Sequence, residues 1–106
     1  MHSEQGLAAG PAGPVLLDVG GDAGALVVLT GRERLGQEIE IEPAGRPDRR
    51  SHVAVLQRRA AGAVSFAAVY GRLREGRYTL LLEHPRDHIS IEVLGGRVVE
   101  VDCRER

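Results

Sequence analysis

The sequence predicts an all-β fold, best described as an antiparallel β-sandwich of about seven or eight short strands. Short apolar runs recur from residue 15 onward, and Gly, Pro and Asp turns separate them at the spacing typical of all-β proteins. Several of these runs alternate apolar and polar residues, as half-buried strands do. No run has the length and period of a substantial helix. A small β-barrel is the alternative architecture.

The length of 106 residues corresponds to one ordinary domain. We expect a flexible N-terminal arm over residues 1–14, which are rich in Gly, Ala and Pro, and a single sandwich domain over residues 15–106. The aromatic residues are only Phe66, Tyr70 and Tyr78, so Val, Leu, Ile and Ala must form the core. All 14 basic residues are arginines and the net charge is −1, which gives no support for nucleic-acid binding.

The first half of the chain contains four predicted strands. They are Val15–Val19, Ala25–Leu29, Glu38–Glu42 and His52–Arg58. Ala25–Leu29 is apolar on both faces and therefore predicts a central strand. The glycines at 20, 21 and 24 predict a hairpin turn, because no Lys-Ser/Thr pair or helix follows them to form a phosphate loop. Arg32–Leu35 fits one helical turn, and residues 43–51 predict a loop.

The second half contains four more predicted strands. They are Val64–Tyr70, Arg77–Leu82, His88–Val93 and Val98–Cys103. Gly71–Gly76 predicts a turn, and Gly95 with Gly96 predicts a tight hairpin before the last strand. Tyr78 is expected to cover one end of the core. Cys103 falls on the core face, where a thiol is normally inert.

The C-terminal part, about residues 64–103, carries a Leu-x-x-Gly-x-Tyr-x-Leu turn followed by a glycine pair and a Val-rich strand. These residues are Leu73, Gly76, Tyr78, Leu80, Gly95, Gly96 and Val98–Val101. In this the chain resembles transthyretin-like (prealbumin-like) and carboxypeptidase-regulatory-like sandwich domains. The resemblance implies a prealbumin-like or Greek-key sandwich that acts as a scaffolding or binding module. Residues 102–106 lack the His and Ser motif of transthyretin-related hydrolases.

A hydrolase is the least favoured of three functional hypotheses. Residues 18–25 are similar to short uncharacterised actinobacterial proteins, some of which carry a phospholipase label. A lipase nucleophile requires a Gly-x-Ser-x-Gly elbow, which is absent around all four serines. Ser51 and His52 are adjacent, so on a strand their side chains point apart. We therefore predict no catalytic residue and no cofactor.

A metal or small-ligand module is the second hypothesis. His84 and His88 flank a turn that contains Asp87, and His52 follows the Pro-rich loop. Imidazole and carboxylate groups are ligands that zinc accepts. Structural zinc sites usually contain cysteines or tightly spaced histidine motifs, which this sequence lacks. The three histidines are therefore interpreted as solvated side chains near strand ends, with a metal site as the alternative.

Two charged segments are also candidates for binding. Glu38, Glu40 and Glu42 form a like-charged row, interpreted as a solvated face with cross-strand ion pairs or, alternatively, as a patch for a basic partner. An antiparallel return of the chain would bring Glu42 near His52 and Glu38 near Arg58. Arg46, Arg49 and Arg50 form a basic loop without the aromatic residues that stack on bases.

The favoured hypothesis is a non-enzymatic protein that acts through protein–protein contacts, with self-association as a homodimer. Its basis is a surplus of apolar residues at outward positions: Leu16, Leu56, Leu81 and Val98. A single cysteine and the absence of a basic, apolar leader predict a cytoplasmic protein. The dominance of Ala, Gly, Val, Leu and Arg, without lysine, is typical of a GC-rich bacterial genome. No apolar run approaches the length that a membrane span needs.

Overall fold

The computed structural model describes residues 7–8 and 15–104. Within these residues the protein is all-β and forms two packed sheets, which confirms the predicted β-sandwich. The strands are β1 (Leu7–Ala8), β2 (Val15–Leu16), β3 (Ala23–Thr30), β4 (Glu38–Pro43), β5 (Ser51–Ala54), β6 (Leu56–Ala60), β7 (Ala63–Arg74), β8 (Gly76–Leu81), β9 (Ile89–Val93) and β10 (Val98–Asp102). Short 3-10 helices lie at Arg32–Arg34, Pro47–Arg49 and Pro85–Asp87 in the described part of the chain.

The two main sheets have four strands each. Sheet 1 has the strand order β10-β3-β7-β6, and sheet 2 has the order β5-β4-β8-β9. All neighbours are antiparallel except β10 and β3, which run parallel. β3 lies inside sheet 1 between two partners, as its apolar sequence predicted. β1 and β2 form a separate antiparallel pair, which contacts β6 and β7.

The core lies between the inner faces of the two sheets. Leu26 and Val28 of β3 are fully buried against Ile41 of β4 and Leu80 of β8. Alternation explains this arrangement, because every second residue of each strand points to the same side. Tyr78 is 8% exposed and belongs to the same cluster, so its predicted core position is confirmed. Apolar burial of this kind stabilises the fold by about 25 cal/mol per Å².

The predicted strand 52–58 is in fact two strands that belong to different sheets. β5 ends at Ala54 in sheet 2, and β6 begins at Leu56 in sheet 1. Val55 between them is fully buried. Its N–H donates to the carbonyl oxygen of Gln37 at 2.8 Å, and its carbonyl oxygen accepts from the N–H of Gly36 at 2.9 Å. Both strands direct their odd-numbered positions toward the one core, so the crossing does not change which positions face inward. The sequence pattern therefore gave no sign of the crossing.

Two predicted connections also differ from the structure. The segment 71–76 is mostly strand, since β7 runs to Arg74 and only Glu75 separates it from β8. Gly95 and Gly96 do not close a hairpin, because β9 lies in sheet 2 and β10 in sheet 1. Gly95 instead permits a close approach of two backbones, as a Cβ there would lie 2.1 Å from the carbonyl oxygen of Gly21. The glycine pair thus marks a crossover between sheets.

The N-terminal predictions are covered only in part by the described residues. Of the predicted arm, only Leu7–Ala8 is described, and it pairs with Val15–Leu16. The predicted first strand, 15–19, is strand only over its first two residues. Asp18 beyond it still donates its backbone N–H to the carbonyl of Gly71 at 2.8 Å.

Candidate functional site

The outer face of sheet 1 carries a contiguous set of apolar side chains. Residues that lie opposite one another across neighbouring strands share a face of the sheet. Leu56, Ala67 and Leu29 form one such row across β6, β7 and β3. Val69 and Val27 form the next row. We call these five residues the apolar strip.

The apolar strip is not part of the core. The register places its residues on the side opposite Leu26 and Val28, and none of the five belongs to the core cluster. Ala67 at its centre is buried, whereas the other four side chains are half-buried. Val98 lies further along the same face, opposite Ala25, and it is 47% exposed. Apolar side chains therefore continue from β6 to β10 on this face, half-buried over the strip and exposed at Val98.

Arg58 lies on the same outer face, two residues beyond Leu56 on the edge strand β6. It is only 7% exposed, and its Nε and Nη1 atoms have no hydrogen-bond partner among the residues that the structure describes. Burial lowers the pKa of its guanidinium group. A buried charged group without a partner is costly, so Arg58 is an unsatisfied donor at one edge of the apolar strip.

The opposite edge of this face is acidic. Glu100 and Asp102 on β10 lie beside Val27 and Leu29 respectively, and both carboxylates are exposed. Asp102 accepts hydrogen bonds from the side chain of Arg104 at 2.6 and 2.9 Å, which hold the pKa of that carboxyl down at about 2. The outer face of sheet 1 therefore has an apolar middle, a cation at the β6 edge and carboxylates at the β10 edge.

The predicted outward apolar residues are distributed over different surfaces. Leu56 and Val98 both lie on the outer face of sheet 1. Leu81 lies opposite Glu40 on the outer face of sheet 2 and is half-buried. The side chain of Leu16 lies outside the described part of the structure. Two of the four residues therefore contribute to one surface.

The three candidate histidines occupy separate local environments. His52 on β5 lies 3.4 Å from a carboxylate oxygen of Glu38. The Nε2 atom of His88 is 3.1 Å from the carbonyl oxygen of Leu82, and His84 is exposed at the turn. Across the described ranges, no group of three or more His, Cys, Asp or Glu side chains is arranged to hold a metal ion.

The adjacent Ser51 and His52 point to opposite faces of sheet 2, as expected. Ser51 lies opposite Ile41, whose side chain is in the core, and His52 lies opposite Glu40. The two side chains therefore diverge, and this pair does not form a nucleophile and its base.

Two carboxylates of the acidic row Glu38, Glu40 and Glu42 form cross-strand ion pairs, but the strand register differs from the expected one. Glu42 accepts a hydrogen bond from Arg50 at 2.7 Å, and Glu38 is paired with His52. The expected contacts of Glu42 with His52 and of Glu38 with Arg58 are wrong. A 3-10 helix at Pro47–Arg49 shortens the return of the chain, and Arg58 lies in the other sheet.

Two further features take the positions that their sequence indicated. Cys103 is buried, with 1% of its surface exposed, and its backbone N–H donates to Leu29 at 2.7 Å. Gly20 and Ala23 exchange two backbone hydrogen bonds of 2.9 Å around Gly21 and Asp22. This confirms that the glycine cluster forms a tight turn.

Sequence reasoning missed the buried state of Arg58. Arg58 lies two residues from Leu56, so alternation places both side chains on the outward face of the strand. A charged residue at an outward position is ordinarily exposed. The available signal was the density of apolar residues on β7, the neighbour of β6, and on β3 beyond it, which leaves few polar groups on this face.

In comparisons with known proteins, no family model, no curated protein and no solved structure matched the chain. The resemblance to transthyretin-like domains therefore stays a prediction. Over residues 7–8 and 15–104, the protein contains no helix of the length and apolar character that crossing a membrane requires.

Proposed function

We propose that the protein acts through protein–protein contacts and associates with a second copy of itself through the outer face of sheet 1. The observation that carries this proposal is the apolar strip, which lies on the sheet face turned away from the core. Polar residues normally occupy that face of a two-layer sandwich. Contiguous apolar surface at such a position is typical of an interaction site.

The arrangement of charges favours a second copy as the partner. A two-fold axis parallel to the strands would reverse the strand order, so that β6 of each copy lies over β10 of the other. The apolar strips then meet at the centre, and the Arg58 edge of one copy faces the β10 edge of its partner, where Asp102 is the nearer carboxylate. Such an interface is isologous, because the same patch of both copies provides both halves. Complementary charges would fix its register.

The unsatisfied donors of Arg58 also favour an acceptor from outside the chain. Its Nε and Nη1 atoms are already removed from water in the single chain. Because neighbouring atoms of the chain cover these two atoms, a carboxylate of a second copy reaches them when side chains of the interface change rotamer on association. Charge-assisted hydrogen bonds of this kind are stronger than neutral ones.

Native mass spectrometry and sedimentation velocity at high micromolar concentration test the proposal. We expect a dimer for the wild-type protein and a monomer for Val27→Glu and for Val98→Glu. Val64→Glu is the matched control, because Val64 and Val98 are both valines with 47% exposure and Val64 lies on the opposite side of its strand. Circular dichroism shows whether each variant is folded. Because Val98 is exposed, a charge at this position disturbs the fold less than a charge at the half-buried Val27.

A strict monomer for the wild-type protein would overturn the proposal. Equal loss of the dimer in Val64→Glu and Val98→Glu would place the interface elsewhere. The predicted cytoplasmic location, which rests on the single cysteine, is compatible with such a module and stays a prediction.

A further inference from the structure

A cleft of about 490 Å³ lies beside the loop that follows β4 and the junction of β7 with β8. The lining includes four arginines, Arg46, Arg49, Arg74 and Arg77, together with Glu75 and Tyr78. The sequence placed Arg46 and Arg49 in one loop, and the fold adds Arg74 and Arg77 from a distant segment. More than a quarter of the 14 basic residues therefore surround one cleft in a chain whose net charge is −1.

The carboxylates near the cleft leave most of this positive charge available. Asp48 pairs with Arg46 through bonds of 3.1 and 3.2 Å, and the Arg46 side chain holds the pKa of the Asp48 carboxyl below its usual value. Glu75 accepts a hydrogen bond from the backbone of Gly95 at 3.2 Å. Arg49, Arg74 and Arg77 make no ion pair with any residue that the structure describes.

The backbone that carries these arginines is held in place by hydrogen bonds. The Tyr78 hydroxyl donates to the carbonyl oxygen of Arg74 at 2.6 Å. The backbone N–H of Ala44 donates to the carbonyl oxygen of Arg77 at 2.9 Å. Arg49 donates its own N–H to the carbonyl oxygen of Arg46 at 2.9 Å. The four guanidinium groups therefore project from fixed points, which lowers the entropy cost of ligand binding.

We propose that this cleft binds a small molecule that carries two or more phosphate groups. Guanidinium groups match the oxygens of phosphate in a planar, bidentate geometry, and the volume is that of a small-molecule site. Three arginines that line one cleft without an ion pair favour a ligand with several negative charges. Tyr78, the aromatic residue of the lining, is largely buried and bonded to Arg74, so the cleft presents no open ring on which a nucleic-acid base could stack.

Isothermal titration of the full-length protein with sodium pyrophosphate tests the proposal. We expect saturable binding that weakens as salt is added. The double variant Arg74→Gln/Arg77→Gln should weaken it by at least about tenfold, as loss of one charge-assisted hydrogen bond does. The matched control is Arg59→Gln/Arg86→Gln, which removes the same charge from exposed positions outside the cleft and should retain binding within about twofold.

Absence of binding at millimolar pyrophosphate would overturn the proposal. So would an equal loss of affinity in both double variants, because that result would indicate a general effect of net charge. A short single-stranded DNA that binds more tightly than pyrophosphate and depends on Arg74 and Arg77 would overturn the assignment of a small molecule. The Val27→Glu variant should bind pyrophosphate normally, which separates this site from the proposed dimer interface.

Discussion

The hydroxyl group of Tyr70 donates a hydrogen bond to the backbone carbonyl oxygen of Ile39, and this bond joins the two sheets through the core. Tyr70 belongs to β7 of sheet 1, and Ile39 belongs to β4 of sheet 2. Both residues are buried, with 5% and 3% of their surface exposed. Apolar contacts alone tolerate small shifts of one sheet over the other. A directional bond at this position fixes the stacking of the sheets.

Tyr70→Phe should destabilise the protein by about 1–3 kcal/mol, because it removes the donor and leaves a buried carbonyl group less well satisfied. Urea denaturation measures this change in the free energy of unfolding. Tyr78→Phe is the control, because it removes a hydroxyl bond to Arg74 that is only partly buried. This variant should lose less free energy of unfolding than Tyr70→Phe. A loss below about 0.5 kcal/mol for Tyr70→Phe would show that the cross-sheet bond contributes little.

Alkaline titration should reveal that both tyrosines are protected in the folded state. Burial raises the pKa of Tyr70 and of Tyr78 above its ordinary value. A raised folded-state pKa contributes stability that is complete below the unfolded pKa of about 10 and is lost as the pH rises above it.

The chain has two tyrosines and no tryptophan, so absorbance at the tyrosinate band reports these two residues alone. We expect no ionisation near pH 10 and a cooperative rise at higher pH, coincident with unfolding by circular dichroism. Ionisation of either tyrosine near pH 10 without unfolding would contradict the buried positions.

The turn between β6 and β7 offers a site for stabilisation. Ala61 and Gly62 are its two central residues, with φ angles of 53° and 79°, and Ala60 and Ala63 pair on either side. This is the conformation that Asn-Gly turns adopt readily, whereas alanine is strained in it. Ala61→Asn should therefore raise the free energy of unfolding by about 0.5–1 kcal/mol, as measured by urea denaturation.

A matched control for this turn is Ala63→Asn, which places the same residue in a strand, where asparagine is disfavoured. We expect a small loss of stability for that variant. A loss for Ala61→Asn would mean that the turn adopts another conformation in solution.

Much of the fold could be predicted because alternation reports which face of a strand is buried. Cys103 was placed correctly on the core face, and Tyr78 was placed correctly in the core. Alternation does not report which sheet a strand belongs to. The crossing at Val55 and the crossover at Gly95 were therefore missed, because odd-numbered residues face the core on both sides of each of them.

The candidate surfaces could be predicted to a lesser extent, because they depend on strand order. Leu56 and Val27 are far apart in the chain, and only the pairing of β6, β7 and β3 brings them to one face. The same limit applies to the arginine cleft. The loop containing Arg49 was recognised as basic, but its proximity to Arg74 follows from where β7 passes into β8.

Replacement of Arg58 by methionine tests whether its guanidinium group is unsatisfied in the single chain. Methionine retains an unbranched apolar side chain and removes a buried charge whose Nε and Nη1 atoms lack partners. Such replacements are often neutral or stabilising by about 1–4 kcal/mol. We therefore expect Arg58→Met to be at least as stable as the wild-type protein in urea denaturation of the monomer at low concentration. Arg59→Met, at the exposed neighbouring position, should change stability by less than about 0.5 kcal/mol.

The same substitution separates monomer stability from association. If a carboxylate of a second copy satisfies Arg58, Arg58→Met should weaken the dimer in sedimentation experiments while the monomer remains stable. Arg59→Met should leave the dimer unchanged. A clear loss of monomer stability in Arg58→Met would show that the guanidinium group has a partner within its own chain. The apolar strip would then have to account for association without that charge.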